Sequence, residues 1–182
     1  MTPGDVVVNM STSSVVDRVA ERHGATVHRT PVGEAHVVAR MLDVGAVIGG
    51  EGNGGVIYPT LHPGRDAPLG MALILQLLAS RNCKLADQIR DYPPFHMTKT
   101  KVDLGGEFSV DRISRLASQL GPDTIDTQDG VKAVFSDGWI HLRVSNTEGV
   151  VRVIVEAPDQ AGARVLQEQA AGVLQASWGK DG

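Results

Sequence analysis

Apolar and polar positions alternate along the chain in two registers, and the change between them divides the sequence. From Asp5 to Met10 an apolar run reads as a strand, Ser11 to Ser13 supply cap candidates, and Val15, Val16 and Val19 recur at helical spacing until Gly24. A second strand over 25–30 and a second helix carrying Val37, Val38, Met41 and Leu42 repeat the unit. Ala46 to Ile48 gives a third strand, which runs into the glycine-rich segment 49–55, and Val56 to Tyr58 resumes the strand pattern. Residues 59–64 read as a turn. Asp66 then caps a helix over 67–81 that is apolar on so many sides that burial is expected. A weaker helix over 85–90 closes this half.

Tyr92-Pro93-Pro94 breaks the pattern, because proline neither continues a helix nor donates to a sheet. Beyond it the order changes. Residues 95–104 read as extended chain, and Ser109 caps a helix with Ile113, Leu116, Ala117 and Leu120 on its apolar side. Strands follow around 124–127, 131–136, 139–144 and 150–156, with Asp129-Gly130 and Asp137-Gly138 as tight turns. Pro158 and Asp159 open a last helix bearing Ala163, Val165, Leu166, Ala170, Val173 and Leu174. The pattern predicts a layered α/β domain with a largely buried sheet over 1–92. A smaller α+β domain, an antiparallel sheet with helices on one face, is predicted over 93–182.

Composition narrows the classes. The chain has 182 residues and a net charge of −4 with its basic residues scattered, which argues against a nucleic-acid surface or a polybasic membrane patch. A single cysteine, Cys83, cannot form an internal disulfide, and no apolar run reaches membrane-spanning length, so a cytoplasmic location is expected. The six histidines show no metal-ligand spacing and read as structural or surface residues, with His62 beside Arg65 the one of most interest. No serine or cysteine has a local nucleophile signature, and no paired-aspartate loop for magnesium is present. No catalytic and no metal residue is therefore assigned.

Two loops carry candidate chemistry. In LRVSNTEGVVRVIVEA a polar turn, Ser145-Asn146-Thr147, joins two strands, with Arg143 and Arg152 supplying charge and planar donors. The segment fits a phosphate cradle; taken alone, an ordinary hairpin with two solvated arginines is the favoured reading. In GGEGNGG five glycines surround Glu51 and Asn53, whose acceptors and donors suit sugar hydroxyls; a glycine-rich bend with a solvated Glu51 is the plain alternative. The glycines lead into a strand and not a helix, which argues against a dinucleotide fingerprint. Arg29, Thr30 and Gly33 make a third polar turn.

Taken in order, RTPVGEAHVVARM, IGGEGNGGVIYP with HPGRDA, and LRVSNTEGVVRVIVEA resemble the α-D-phosphohexomutase family of phosphomannomutases, phosphoglucomutases and phosphoglucosamine mutases. The resemblance covers nearly the whole chain and corresponds to the third and fourth domains of a four-domain enzyme. It implies a mixed-sheet third domain and a fourth resembling the TATA-binding-protein fold. It implies that Gly50, Glu51 and Asn53 bind sugar, and that Arg143, Ser145, Asn146, Thr147 and Arg152 bind a substrate phosphate. Thr30 and Gly33 match a further ligand-facing loop.

There are departures from the family pattern. Asn53 stands where many relatives have serine, Gly55 replaces a common histidine, and Gly149 replaces a common proline. The family's phosphoserine and magnesium loops belong to earlier domains and are not in these residues. The chain is therefore expected to bind a hexose phosphate yet be inactive alone, with magnesium needed only in a complete enzyme. The complete reaction implied is phosphoryl transfer between a phosphoserine and a phosphosugar through a bisphosphorylated intermediate. A non-catalytic phosphosugar-binding module, or a subunit completing a separately encoded N-terminal half, is the alternative.

Overall fold

The computed structural model describes residues 3–103, 109–145 and 150–178. The chain forms two compact units, Met1–Pro93 and Pro94–Gly182. In the first unit the order is β1 (Val6–Asn9), α1 (Val15–Arg22), β2 (Val27–Thr30), α2 (Glu34–Val44), β3 (Ile48–Glu51), β4 (Gly55–Tyr58), β5 (His62–Arg65), α3 (Ala67–Arg81) and α4 (Leu85–Arg90). The sheet order is β2-β1-β3-β4-β5. β1 runs parallel to both β2 and β3, whereas β4 and β5 are antiparallel additions, so the sheet is mixed. The chain leaves β1 for one neighbour and returns to the other side. Asn9 and Glu51, at the C-terminal ends of β1 and β3, thus flank the point where strand order reverses, which is where open α/β sheets bind ligands.

A small core of Val7, Val37, Met41, Ala46 and Ile57 holds α2 on the sheet. Glycine is required where the sheet is tightest. A Cβ on Gly49 would lie 2.4 Å from the Met41 sulfur and 2.8 Å from the Val7 carbonyl, and one on Gly50 would lie 2.3 Å from the Gly55 carbonyl.

Three expectations for this unit need correction. The third strand does not stop at Ile48 but continues through Gly49 and Gly50 to Glu51, so the glycine loop shrinks to a tight hairpin turn. Residues 62–64, expected to be turn, form β5 together with Arg65, because the bulged register after Ile57 lets a Pro- and Gly-containing segment pair at the sheet edge. The largest departure is α3. Asp66 caps it, accepting from the Leu69 N–H at 2.8 Å, but only Gly70, which meets Val56, is buried. Met71, Ile74 and Leu75 are 59%, 49% and 66% exposed. Apolar content specifies that a helix favours burial, but the packing of α3 on β4 buries only Gly70 fully.

The second unit comprises β6 (His96–Asp103), α5 (Val110–Ser118), β7 (Thr124–Asp126), β8 (Val131–Phe135), β9 (Gly138–Val144), β10 (Val150–Ala157) and α6 (Gln160–Trp178). Its sheet, ordered β6-β10-β9-β8-β7, is antiparallel throughout. Ser109 caps α5 by accepting from the Arg112 N–H at 3.1 Å, and Asp159 accepts from the Gly162 N–H at the start of α6. One face of the sheet, with Ile140, Leu142, Val151, Val153 and Val155, packs on Ile113, Leu116 and Ala117 of α5 and on Ala163, Leu166, Ala170 and Leu174 of α6. Val165, expected on the apolar side of α6, is instead 51% exposed. Strand alternation sends Lys101, Arg143 and Arg152 to the opposite face.

Candidate functional site

In the second unit the register sets the charges. Arg152 on β10 lies directly opposite Arg143 on β9 and, across its other edge, directly opposite Lys101 on β6. Three cations therefore stand in one row across three strands. Like charges in cross-strand pairs are destabilising, so the row favours an anion over its face. Ser145, buried, donates its N–H to the Val150 carbonyl at 2.8 Å and closes the neck of the loop beside this row. Asn146 and Thr147 lie outside the described residues. Lys101 was not singled out by the sequence. Its only signal is the register between β6 and β10, strands far apart along the chain, and local patterning does not carry that.

Arg143 is half-buried and held by Asp129, whose carboxylate oxygens lie 3.0 and 2.9 Å from its Nε. Asp129 is held in turn. His141 Nε2 is 2.7 Å from the Asp129 carbonyl, and since a carbonyl only accepts, that nitrogen carries the proton. Burial pushes the His141 imidazole below the ordinary histidine value, against the opposing effect of its bond to Asp129.

In the first unit Glu51 is buried, contrary to the solvated alternative. Its Oε1 accepts from Asn9 Nδ2 at 3.0 Å and from the Gly33 N–H at 3.1 Å, and its Oε2 lies 3.6 Å from Arg65. The carboxylate thus ties together the ends of β1, β3 and β5 and the turn before α2. Asn9 Oδ1 extends the network by accepting from the Ser11 N–H and the Thr12 hydroxyl. Gly33, at φ 136°, brings its N–H to Glu51 in a conformation that side chains rarely adopt. Thr30 is buried, with its hydroxyl donating to the Pro31 carbonyl at 3.0 Å. Arg29 turns inward to the Asn9 and Thr12 carbonyls and to Asp17, so it braces the same strand end.

The open groove beside this network has a volume of ≈ 520 Å³ and is lined by Glu34, Asn53, Gly54, Gly55, Arg65 and Ala67. Asn53 stays at its edge with Oδ1 accepting from the Gly55 N–H, while Gly50 and Glu51 sit behind it in the sheet. Glu34 and Arg65 were not assigned by the sequence. Glu34 accepts from both the Arg65 N–H at 2.9 Å and the Arg65 Nε at 2.7 Å, and these two bonds hold its carboxyl below the usual carboxylate range. His62 is exposed nearby on β5, and among the described residues no three His, Cys, Asp or Glu side chains gather as a metal site. Nor is any described helix long and apolar enough to cross a membrane.

Residues 1–95 match the model of phosphoglucomutase/phosphomannomutase alpha/beta/alpha domain III, and residues 97–173 match that of the C-terminal domain. The chain belongs to the phosphoglucomutase/phosphomannomutase family. It is 38% identical to a phosphoglucomutase/phosphomannomutase of Thermococcus kodakarensis, over 91% of this chain and 36% of that protein. Identity is 36% to a probable phosphoglucosamine mutase of Methanopyrus kandleri, over 92% of this chain and 37% of that one. Among solved structures, a family protein from Burkholderia thailandensis superposes with a TM-score of 0.81 at 24% identity, covering 96% of this chain and 38% of that one. A putative phosphomannomutase from Thermus thermophilus gives 0.73 at 30% identity, covering 95% and 37%. The chain thus spans a little over a third of the length of these family members and corresponds to their domain III and C-terminal domain.

Glu51→Ala leaves the Asn9 amide and the Gly33 N–H without their acceptor, and is expected to cost about 1–3 kcal/mol per orphaned buried group, read as a lower urea midpoint by circular dichroism. His141 binds its proton more weakly folded than unfolded, so its contribution is present above the unfolded value near 6.5 and is lost as pH falls below it. Both tryptophans, Trp139 and Trp178, belong to the second unit. Their fluorescence should show its urea midpoint falling from about pH 7.5 to about pH 5, with a shallower fall in His141→Gln.

Proposed function

We propose that this chain is the phosphosugar-binding part of a phosphohexomutase and does not turn over substrate alone. The observation that carries this reading is the row Lys101, Arg152 and Arg143 beside the Ser145 loop, in a segment that matches the family's C-terminal domain. Arginine offers a planar fork matched to phosphate, and lysine adds a point charge. Arg143 and Arg152, with Ser145, Asn146 and Thr147 of the loop, anchor the phosphate that does not react. In the first unit Asn53 reads sugar hydroxyls at the groove edge, and Gly50 and Glu51 shape the wall behind it, with Thr30 and Gly33 in the adjoining turn.

The burial of Glu51 supports a wall-forming role over direct contact, because its Oε1 already accepts two protein donors. In the complete enzyme a phosphoserine gives its phosphoryl group to a hexose phosphate, and the bisphosphorylated sugar reorients before a phosphoryl group returns. Positioning and charge neutralisation carry much of such a reaction, and the residues of this chain supply the positioning. On this reading magnesium is needed only in the complete enzyme. On the same reading the protein serves carbohydrate metabolism, and the cytoplasm is the compartment we assign to it. Because the chain spans little more than a third of its relatives, the second reading is a subunit or module that completes a separately supplied N-terminal half.

Titration calorimetry with a hexose phosphate should show binding by the chain, and Arg143→Ala should weaken it by about 1.5–3 kcal/mol, the range for removing a charge-assisted hydrogen bond. Equal affinity in the variant would remove Arg143 from the site. With glucose, mannose or glucosamine phosphates, magnesium and a bisphosphate activator, a clean preparation should show no mutase turnover. Robust turnover would contradict the proposal.

A further inference from the structure

We propose that Asp129 is a positioning residue that presents Arg143 to an anion, an inference that rests on reading the Arg143 site as a phosphate site. Asp129 lies in the turn between β7 and β8, and three independent features fix it there. Asp126 fastens the start of the turn by accepting from the Gln128 N–H at 2.9 Å and from its side-chain amide at 3.0 Å. Gly130 has φ 70°, and a Cβ there would lie 2.2 Å from the Leu142 carbonyl and 3.2 Å from the Arg143 Cα. The turn therefore packs onto β9 at Arg143 itself, at a distance that only glycine permits. His141, the neighbouring residue on the same face two positions before Arg143, is fully buried and donates to the Asp129 carbonyl.

So fixed, the Asp129 carboxylate meets Arg143 through Nε, on the flank of the guanidinium. The terminal amino edge of the fork, which matches phosphate bidentately, is not used by this pair. Arg143 also needs a restraint that Arg152 cannot give. Arg152, directly opposite, repels it, and a long side chain repelled by its neighbour would sample many rotamers. Asp129 settles that disorder before an anion arrives. Its negative charge has the opposite effect on anion affinity, since a carboxylate near the row weakens the field of the cations. The two effects differ in which variant reveals them: alanine removes both charge and hydrogen bond, whereas asparagine keeps an acceptor for Nε and removes only charge.

The test is calorimetric titration of inorganic phosphate into the chain and its variants at fixed ionic strength, with tryptophan fluorescence confirming the fold of the second unit. Asp129→Ala should weaken phosphate binding about 5- to 20-fold, less than the loss of Arg143 itself, because Asp129 acts through that side chain. Asp129→Asn should stay within about 3-fold of the parent or bind more tightly, because Nε keeps its acceptor. On an Arg143→Ala background, Asp129→Ala should produce no further weakening, since the two residues act as one unit. Tighter binding by both single variants would overturn positioning and leave Asp129 as a source of negative charge only. Equal weakening by alanine and asparagine, or further weakening on the Arg143→Ala background, would also overturn it. Phosphate binding absent from the parent chain itself would overturn the phosphate site and the positioning role together.

Discussion

Arg143 and Arg152 face each other across β9 and β10, with Lys101 next in the row, and this opposition of like charges organises one end of the sheet's second face. The register that imposes it is not adjustable. A slip of one residue would send Val151, Val153 and Val155 out of the core and the charges into it, so the apolar face of the sheet fixes the cations as firmly as it fixes itself. The helices α5 and α6 secure that apolar face. The polar row is thus a by-product of hydrophobic packing, offset locally by Asp129, and our proposal assigns it a phosphate.

The first unit solves a different problem. Three parallel strands end together, and their exposed backbone and side-chain groups need partners at the place where ligands approach. Glu51 supplies them from within the sheet by accepting from Asn9 and Gly33 and by lying near Arg65. A carboxylate in this position makes a rigid wall, with the groove of Glu34, Asn53 and Arg65 beside it. The glycines around Glu51 serve close packing of β1, β3 and β4 as much as ligand access, because at Gly49 and Gly50 a side chain would collide with backbone or with Met41.

What could be read in the sequence follows from the range of each interaction. Helix caps at Asp66 and Ser109 act over three residues, and both were legible. The antiparallel sheet of the second unit was legible from alternation and turn residues, as was the alternation of strand and helix in the first. β5 was not, because proline and glycine disguise an edge strand as a turn. The exposure of α3 was not, because a count of apolar residues does not say what surface lies opposite them. Among site residues, Arg143 and Arg152 could be paired as two ends of one short loop. The bonds of Glu51 to Asn9, 42 residues away, and of Asp129 to Arg143, 14 residues away, depend on tertiary placement that no local motif announces. The family resemblance named Glu51 as a ligand-facing residue, and it took the structure to show how its carboxylate is already engaged.

Whether the row on β6, β10 and β9 holds a phosphate is tested most directly by a crystal structure of the chain grown with a saturating hexose phosphate. The expected result is density for the phosphate over the row, with oxygens within about 2.7–2.9 Å of the Arg143 terminal amino groups and of Arg152. An ordered sugar phosphate bound elsewhere, with the row contacting only solvent, would contradict it.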